Sequence, residues 1–151
     1  MDDGGRTCET GKDCMAKRAD LPGPVGLGIV VCESIAQDWR TNKVHLLGIG
    51  SKFALESFPG AAEFAVYAVM TSVREDCVAY FEVVDWEDDV AGRSDDLPLT
   101  KGTNVADDAV AATFLRNVLF PAPGDYFVRF IANRQLVMEK RIMVVAATRE
   151  E

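Results

Sequence analysis

The stretch that decides the fold is PAPGDYFVRFIANRQLVMEKRIMVV, residues 121–145. It reads as a turn followed by two strands, 125–133 and 136–145, that fold back on each other. Both strands carry apolar residues on both faces, whereas a surface hairpin has only one face to bury. The segment therefore predicts a hairpin whose second face needs a cover.

The register of this hairpin can be tested from the residues themselves. A two-residue loop would place Val128 opposite Glu139 and mix core with charge, because directly opposed residues share a face. A three-residue loop, 133–135, avoids this and leaves one misfit, Lys140 opposite Val128, which a local bulge or an edge position would resolve. The pairs that it predicts are Ala132 with Leu136, Phe130 with Met138, Tyr126 with Ile142, and Arg129 with Glu139.

The face of the hairpin away from the core carries a patch of four apolar residues. Its members are Phe127, Ile131, Val137 and Met143. Single exposed apolar residues need no explanation, but four on adjacent strands form a candidate interface. Two covers are open: a segment of the same chain, either the N-terminal residues or the 86–108 loop, or a second subunit or partner.

The rest of the chain predicts a single all-β domain. Residues 1–26 are rich in Gly, Pro and charge and read as a tail or strap, 27–147 form the domain, and 148–151 form a C-terminal tail. The seven predicted strands are 27–34, 44–53, 64–72, 77–85, 111–120, 125–133 and 136–145. Such short strands, mostly joined by short turns, favour an antiparallel immunoglobulin-like β-sandwich of about seven strands.

Two local features bear on that fold. Residues 106–112 begin with a possible Asp cap and are left open to a helical turn, while 113–120 is taken as strand. Tyr126 follows Pro123-Gly124, where a tyrosine corner of a sandwich would place a hydrogen bond back across the turn.

Composition excludes several functions. The net charge of −8 argues against nucleic-acid or membrane partners, since phosphate binding needs clustered Lys and Arg. The polar N-terminal sequence lacks a secretory signal and the apolar runs are too short to cross a bilayer, so we expect a cytoplasmic protein. Cys32 and Cys77 lie in apolar runs and read as small reduced hydrophobes, whereas Cys8 and Cys14 lie in the tail and could react or pair.

The chain offers little for catalysis. His45 is the one histidine, no nucleophile or phosphate-loop motif accompanies it, and no cofactor is indicated. The acidic stretch 85–108 has a spacing unlike that of an EF-hand, but its oxygen ligands could bind calcium. The calcium candidates are Asp85, Glu87, Asp88, Asp89, Asp95 and Asp96.

Three segments resemble a family of small bacterial proteins of unknown function with an immunoglobulin-like β-sandwich. They are IVVCESIAQDWRTNKVHLLGIGSKF, SFPGAAEFAVYAVMT and FPAPGDYFVRFIANRQLVMEKRIMVV, and the likeness covers about residues 28–146. The first turn has Asn42 where the family pattern has Gly, which a turn tolerates. The resemblance implies the sandwich fold and carries no catalytic residue to this chain.

Together these observations predict a non-enzymatic binding or assembly module. It would self-associate as a homo-oligomer, or bind a protein partner, through a sheet face. The alternative is a calcium-dependent module or an enzyme that uses the 85–108 loop.

Overall fold

A computed structural model describes residues 23–104 and 106–147, which form eleven strands and no helix. Within these ranges, no helix has the length and apolarity needed to cross a membrane. The strands are β1 (Val25–Cys32), β2 (Ser34–Asp38), β3 (Lys43–Leu47), β4 (Lys52–Leu55), β5 (Gly60–Thr71), β6 (Cys77–Val84), β7 (Val90–Arg93), β8 (Leu97–Leu99), β9 (Ala109–Phe120), β10 (Gly124–Ala132) and β11 (Gln135–Ala146).

The strands are arranged in three sheets. The three-stranded sheet has the order β1-β5-β9, and the six-stranded sheet has the order β4-β11-β10-β6-β7, with β8 also paired to β6. The six-stranded sheet curls into a half-barrel. Strands β2 and β3 pair only with each other and form a ribbon, here called the arm. All pairs are antiparallel except β4 with β11, which is parallel, so the expectation of a purely antiparallel fold is wrong at that edge.

The number of strands exceeds the predicted seven for local reasons. The predicted strand 44–53 breaks into β3 and β4 because Gly48 turns the chain with a φ of 69°. The predicted strand 27–34 ends at Cys32, and a new strand starts at Ser34. The predicted loop 85–108 contains two short strands, β7 and β8, that pair with β6.

The predicted tails fall mostly outside the described residues. Residues 1–22 and 148–151 are not described, and neither are Cys8 and Cys14. Val25 and Gly26, which the sequence analysis placed at the end of the N-terminal tail, are the first two residues of β1.

One core lies between the two larger sheets. Its largest side chains have no exposed surface, and the rings of Phe81 and Phe130, on neighbouring strands, have centroids 4.9 Å apart. At one edge the sheets nearly touch, since a Cβ on Gly92 of β7 would lie 2.9 Å from Cγ2 of Val118 on β9. The core also includes Val31, Phe64, Val66, Met70, Val83, Leu115, Phe120, Val128, Ile142 and Val144.

The β10–β11 hairpin confirms the predicted register and corrects the predicted loop. Tyr126 lies opposite Ile142 and Phe130 opposite Met138, as expected. The loop, however, has two residues, Asn133 and Arg134, both with positive φ, as the tightest hairpin turns require. A bulge beyond Phe130 restores the core register, so Ala132 lies opposite Gln135 and not opposite Leu136.

The ambiguous segment 106–112 is not helical. Ala106 and Asp107 lie in a turn, and β9 begins at Ala109. The strand then has a bulge at Asn117, where φ is 57°, and this keeps both Leu115 and Val118 in the core. Val110, Phe114 and Val118 have the spacing of a helix face, but the first two are exposed and the bulge places Val118 in the core.

The predicted tyrosine corner is present. The Tyr126 hydroxyl donates a hydrogen bond to the carbonyl of Ala122 at 2.7 Å. The ring is nearly buried and lies edge-on to Phe120, with centroids 4.7 Å apart. The corner therefore fixes how the chain passes from β9 to β10.

We expect Tyr126→Phe to lower the free energy of unfolding by about 1–2 kcal/mol, because the substitution leaves the Ala122 carbonyl without its donor and keeps the ring. Urea unfolding followed by fluorescence measures this change. An unchanged midpoint and slope would mean that the corner bond does not stabilise the turn.

Candidate functional site

The patch predicted on the β10–β11 hairpin is only partly assembled. Phe127, Ile131 and Met143 lie on the outer face of the six-stranded sheet, as expected. Val137 is half-buried and packs against the core, because it is the extra, unpaired residue of the bulge and lies next to Met138. The sequence placed Val137 on the outer face because it assumed a regular strand.

An ion-pair network interrupts the remaining patch. Arg129 lies between Phe127 and Ile131 along β10. Its Nε donates to Glu139 at 2.7 Å, which is the predicted cross-strand pair, and a terminal nitrogen donates to Asp88 at 2.9 Å. The hydrogen bond to Glu139 is the main reason why the pKa of Arg129 is raised. This face is therefore a mixture of apolar side chains and paired charges.

Trp86 covers part of the same face. It belongs to the turn between β6 and β7, and its ring lies edge-on to Phe127 with centroids 5.0 Å apart. Val84, opposite Phe127 on β6, is also buried, although it does not pack in the cluster between the two sheets. In the structure it is therefore Trp86, within the 86–108 segment, that shields Phe127.

The outer face of the three-stranded sheet is different, and it is not among the surfaces predicted from the sequence. Its three cross-strand rows, in the order β1, β5 and β9, are Cys32–Ala65–Phe114, Val30–Tyr67–Ala112 and Gly28–Val69–Val110. None of the nine residues is charged. Cys32 and Ala65 are buried, whereas Phe114 and the residues of the other two rows are at least partly exposed. These nine positions are here called the apolar face.

A cleft opens where the arm leaves the apolar face. It has a volume of about 470 Å³ and lies between Ile35 of β2 and the β9 residues Ala112 and Phe114. The Arg116 guanidinium carbon at the cleft lies 5.4 Å from the centre of the Phe114 ring. Among the described residues, no carboxylate forms an ion pair with Arg116. The cleft therefore combines apolar walls with a cation that has no anionic partner in that part of the chain.

The arm ends in an exposed tryptophan. Trp39 occupies the tight turn between β2 and β3 and is 83% exposed. The turn is ordered by Asp38, whose carboxylate accepts a hydrogen bond from the Arg40 amide at 2.9 Å, and by Asn42, which adopts a positive φ of 60°. This is the turn role expected for Asn42. His45 is exposed on β3 of the same arm, opposite Ala36.

Three of the six calcium candidates come together. One ligand atom each from Asp85, Glu87 and Asp89 lies within 4.8 Å of the other two. One oxygen of Asp85 already accepts hydrogen bonds from the amides of Glu87 and Asp89, at 2.8 and 2.9 Å. The Asp85 carboxylate therefore also stabilises the β6–β7 turn.

The other candidates have different surroundings. Asp88 pairs with Arg129, and Asp96 pairs with Arg93 at 3.0 Å. Asp95 lies beside Asp96 between β7 and β8, outside the three-carboxylate cluster. The six acidic residues do not form one group.

The described cysteines are free thiols, in agreement with the sequence analysis. Cys32 is buried and Cys77 is half-buried. Burial raises the pKa of both thiols, and the neighbouring charges of Glu75 and Asp76 raise the pKa of Cys77 further. Both thiols therefore remain protonated at neutral pH, which disfavours a nucleophilic role.

Comparisons with known proteins add little to this description. No family model matches the chain, and no curated protein matches it. A solved DNA-bound alkylpurine DNA glycosylase AlkC from Pseudomonas fluorescens aligns with 64% of this chain and 28% of its own, at 9% identity and a TM-score of 0.42. A glycosyl hydrolase family 2 member from Bacteroides cellulosilyticus aligns with 60% of this chain and 13% of its own, at 13% identity and a TM-score of 0.39. At these scores neither likeness carries an argument about function.

Proposed function

We propose that this protein is a non-catalytic assembly module and that two copies associate through the apolar face. The observation that carries the proposal is the uncharged composition of the three cross-strand rows on that face. In the row of Gly28, Val69 and Val110, the Val110 side chain is about half exposed in the single chain. Burial of such a surface against a second copy removes apolar area from water.

The contrast with the six-stranded sheet supports this choice of surface. There, Arg129 and Arg141 each form an ion pair with a carboxylate on the outer face, and binding of a partner would require these charges to be desolvated. The apolar face has no such cost. Because each copy carries a net charge of −8, two copies repel each other, and contact through an uncharged surface keeps the repelling groups apart.

We also propose that the two larger sheets form an immunoglobulin-like sandwich, as the resemblance to small bacterial proteins of that fold implies. The core shared by both sheets and the Tyr126 corner bond support this assignment. The proposed function assigns no catalytic residue to the chain.

Sedimentation equilibrium over a concentration series tests the assembly. We expect a reversible dimer, whose mass is twice the chain mass of 16.5 kDa. A single species of 16.5 kDa at every concentration up to about 100 μM would reject the proposal, since a specific interface of ordinary size binds more tightly than this.

A calcium-binding turn is the second candidate, and the grouping of Asp85, Glu87 and Asp89 is the observation that favours it. Under this alternative, about 5 mM Ca²⁺ should raise Tm by several degrees, because a ligand that binds only the folded state increases the free energy of unfolding. For a chain of this size, each added kcal/mol raises Tm by about 2–4 °C. Thermal melts with Ca²⁺, Mg²⁺ and a chelator measure the shift. Glu87→Gln removes a candidate ligand, keeps the hydrogen bonds to Asp85 and should abolish the shift. A Tm that does not respond to Ca²⁺ would eliminate this candidate.

A further inference from the structure

We infer that, in the dimer, the arm of each copy docks in the cleft of the other copy, with Trp39 as its anchor. The inference rests on the proposed self-association and adds the residues that would make it specific. It assigns the cleft beside Phe114 and Arg116 to an indole side chain of a second copy of this chain.

The size of the apolar face shows why the arm is needed. The three rows span roughly 15 by 17 Å, given strands about 4.8 Å apart and a rise of about 3.4 Å per residue. This area is well below the roughly 800 Å² that each partner buries in an interface of standard size. An association through the face must therefore include neighbouring surface, and the arm borders the face.

Among the described residues, the arm contacts the larger sheets mainly at its base, where β2 lies beside β5. Strands β2 and β3 pair with no strand of the larger sheets, and none of their residues is fully buried. An isolated two-stranded hairpin is marginally stable in water. Val44 and Leu47 of β3 are also exposed. Docking against a second copy would add contacts to those that the arm makes with the described residues of its own chain.

The tip of the arm has the chemistry of an interface anchor. Trp39 is the most exposed of the large apolar side chains that the structure describes, and the Asp38 and Asn42 turn holds its backbone in place. Tryptophan is enriched among residues that dominate binding energy, and a preorganised turn reduces the entropy lost on binding.

The cleft complements an indole ring. Its walls, Ile35, Ala112 and Phe114, are apolar, and Phe114 offers an aromatic partner. Arg116 supplies a guanidinium that has no ion pair among the described residues, and cations are attracted most strongly to the face of tryptophan. The cleft volume of about 470 Å³ leaves room for the ring and part of the turn that carries it.

The positions of tip and cleft fit a two-fold axis. The cleft lies at the base of the arm, beside Ser34 and Ile35, whereas Trp39 follows the last residue of β2. Five extended residues separate base from tip by about 17 Å, so the tip is held away from the cleft of its own chain. Two arms lying antiparallel about a two-fold axis place each tip at the base of the other arm, and the two contacts are then identical.

Two variants remove the two halves of this contact. Trp39→Ala removes the anchor, and Ala112→Trp fills the cleft. We expect each homodimer to dissociate at least about 30-fold more readily than the wild type, since the first variant loses the anchor at both contacts and the second blocks both clefts. Trp86→Ala and Ala54→Trp are the matched controls, because they make the same substitutions at exposed positions away from the arm and cleft and should keep the wild-type dissociation constant.

Mixing the two variants is the decisive step. In a mixed dimer, the Trp39 of the Ala112→Trp copy meets the open cleft of the Trp39→Ala copy, so one of the two contacts is intact. At a concentration where each variant alone is monomeric, the equimolar mixture should form dimers by sedimentation velocity. A mixture that stays monomeric would overturn the inference.

The failure of this inference is distinguishable from the failure of the proposed function. In a Trp86→Phe background, the emission of Trp39 should shift to the blue as the protein dimerises. If the wild type dimerises while Trp39 stays solvent-exposed and Trp39→Ala binds as tightly as the wild type, the arm contact is wrong and self-association stands. A wild type that never dimerises overturns both.

Discussion

Replacing Val110 by Lys should convert the dimer into a monomer. Val110 lies in a row with Val69 and Gly28 on the apolar face and is 49% exposed in the single chain. In a two-fold interface the substitution buries two ammonium groups without anionic partners. Each unpaired buried charge costs several kcal/mol, so we expect the dimer to weaken by at least about 10³-fold. Sedimentation velocity measures the change.

Val78→Lys is the matched control. Val78 is 54% exposed and lies at the outer surface of the six-stranded sheet, on β6. It receives the same substitution at nearly the same exposure, yet it should keep the wild-type dissociation constant. Circular dichroism should show that both variants are folded. If Val78→Lys abolishes the dimer and Val110→Lys preserves it, the proposed interface is on the wrong sheet.

The second large effect concerns stability. Phe130→Ala should lower the free energy of unfolding by about 3–5 kcal/mol, because it removes a fully buried ring and leaves a cavity beside Phe81 and Met138. Urea unfolding in the Val110→Lys background measures this loss without the contribution of dimerisation.

Phe114→Ala in the same background is the comparison. Phe114 lies on the apolar face and is 38% exposed, so the same substitution should cost only about 1–2 kcal/mol in a monomer. In the wild-type background it should also weaken the dimer, because Phe114 lines the cleft. Equal losses for Phe114→Ala and Phe130→Ala in the monomer would mean that the inner and outer faces are misassigned.

The register of the β10–β11 hairpin could be predicted from the sequence because it depends on residues that are close together in the chain. Opposed residues share a face, and only one register placed Phe130 and Tyr126 opposite apolar partners. The structure confirms that register and the Arg129–Glu139 pair. The loop length was wrong because a bulge lets a tight turn and the core register coexist, and no pattern in the strand marked the bulge.

The apolar face could not be found in the same way. Strand β5 carries Ala65, Tyr67 and Val69 on the face away from the core, a signal visible in the sequence. Its meaning, however, depends on which strands flank it. Only the order β1-β5-β9 places Val30 beside Tyr67 and Val110 beside Val69, and sheet order is set by long-range pairing.

The predicted patch failed to form a continuous surface for a related reason. Trp86 and Asp88 belong to the turn after β6, and the β6–β10 pairing brings that turn against Phe127 and Arg129. The sequence indicated the turn and the strand separately. Their contact arises from the pairing of strands about forty residues apart in the chain, which the periodicity of either segment does not encode.

The most direct test is the mass of the purified 151-residue chain in solution, by light scattering after size exclusion. We expect twice the chain mass of 16.5 kDa for the wild type and for Val78→Lys, and the single-chain mass for Val110→Lys. A wild-type protein that elutes with the mass of one chain at all concentrations tested would contradict this expectation.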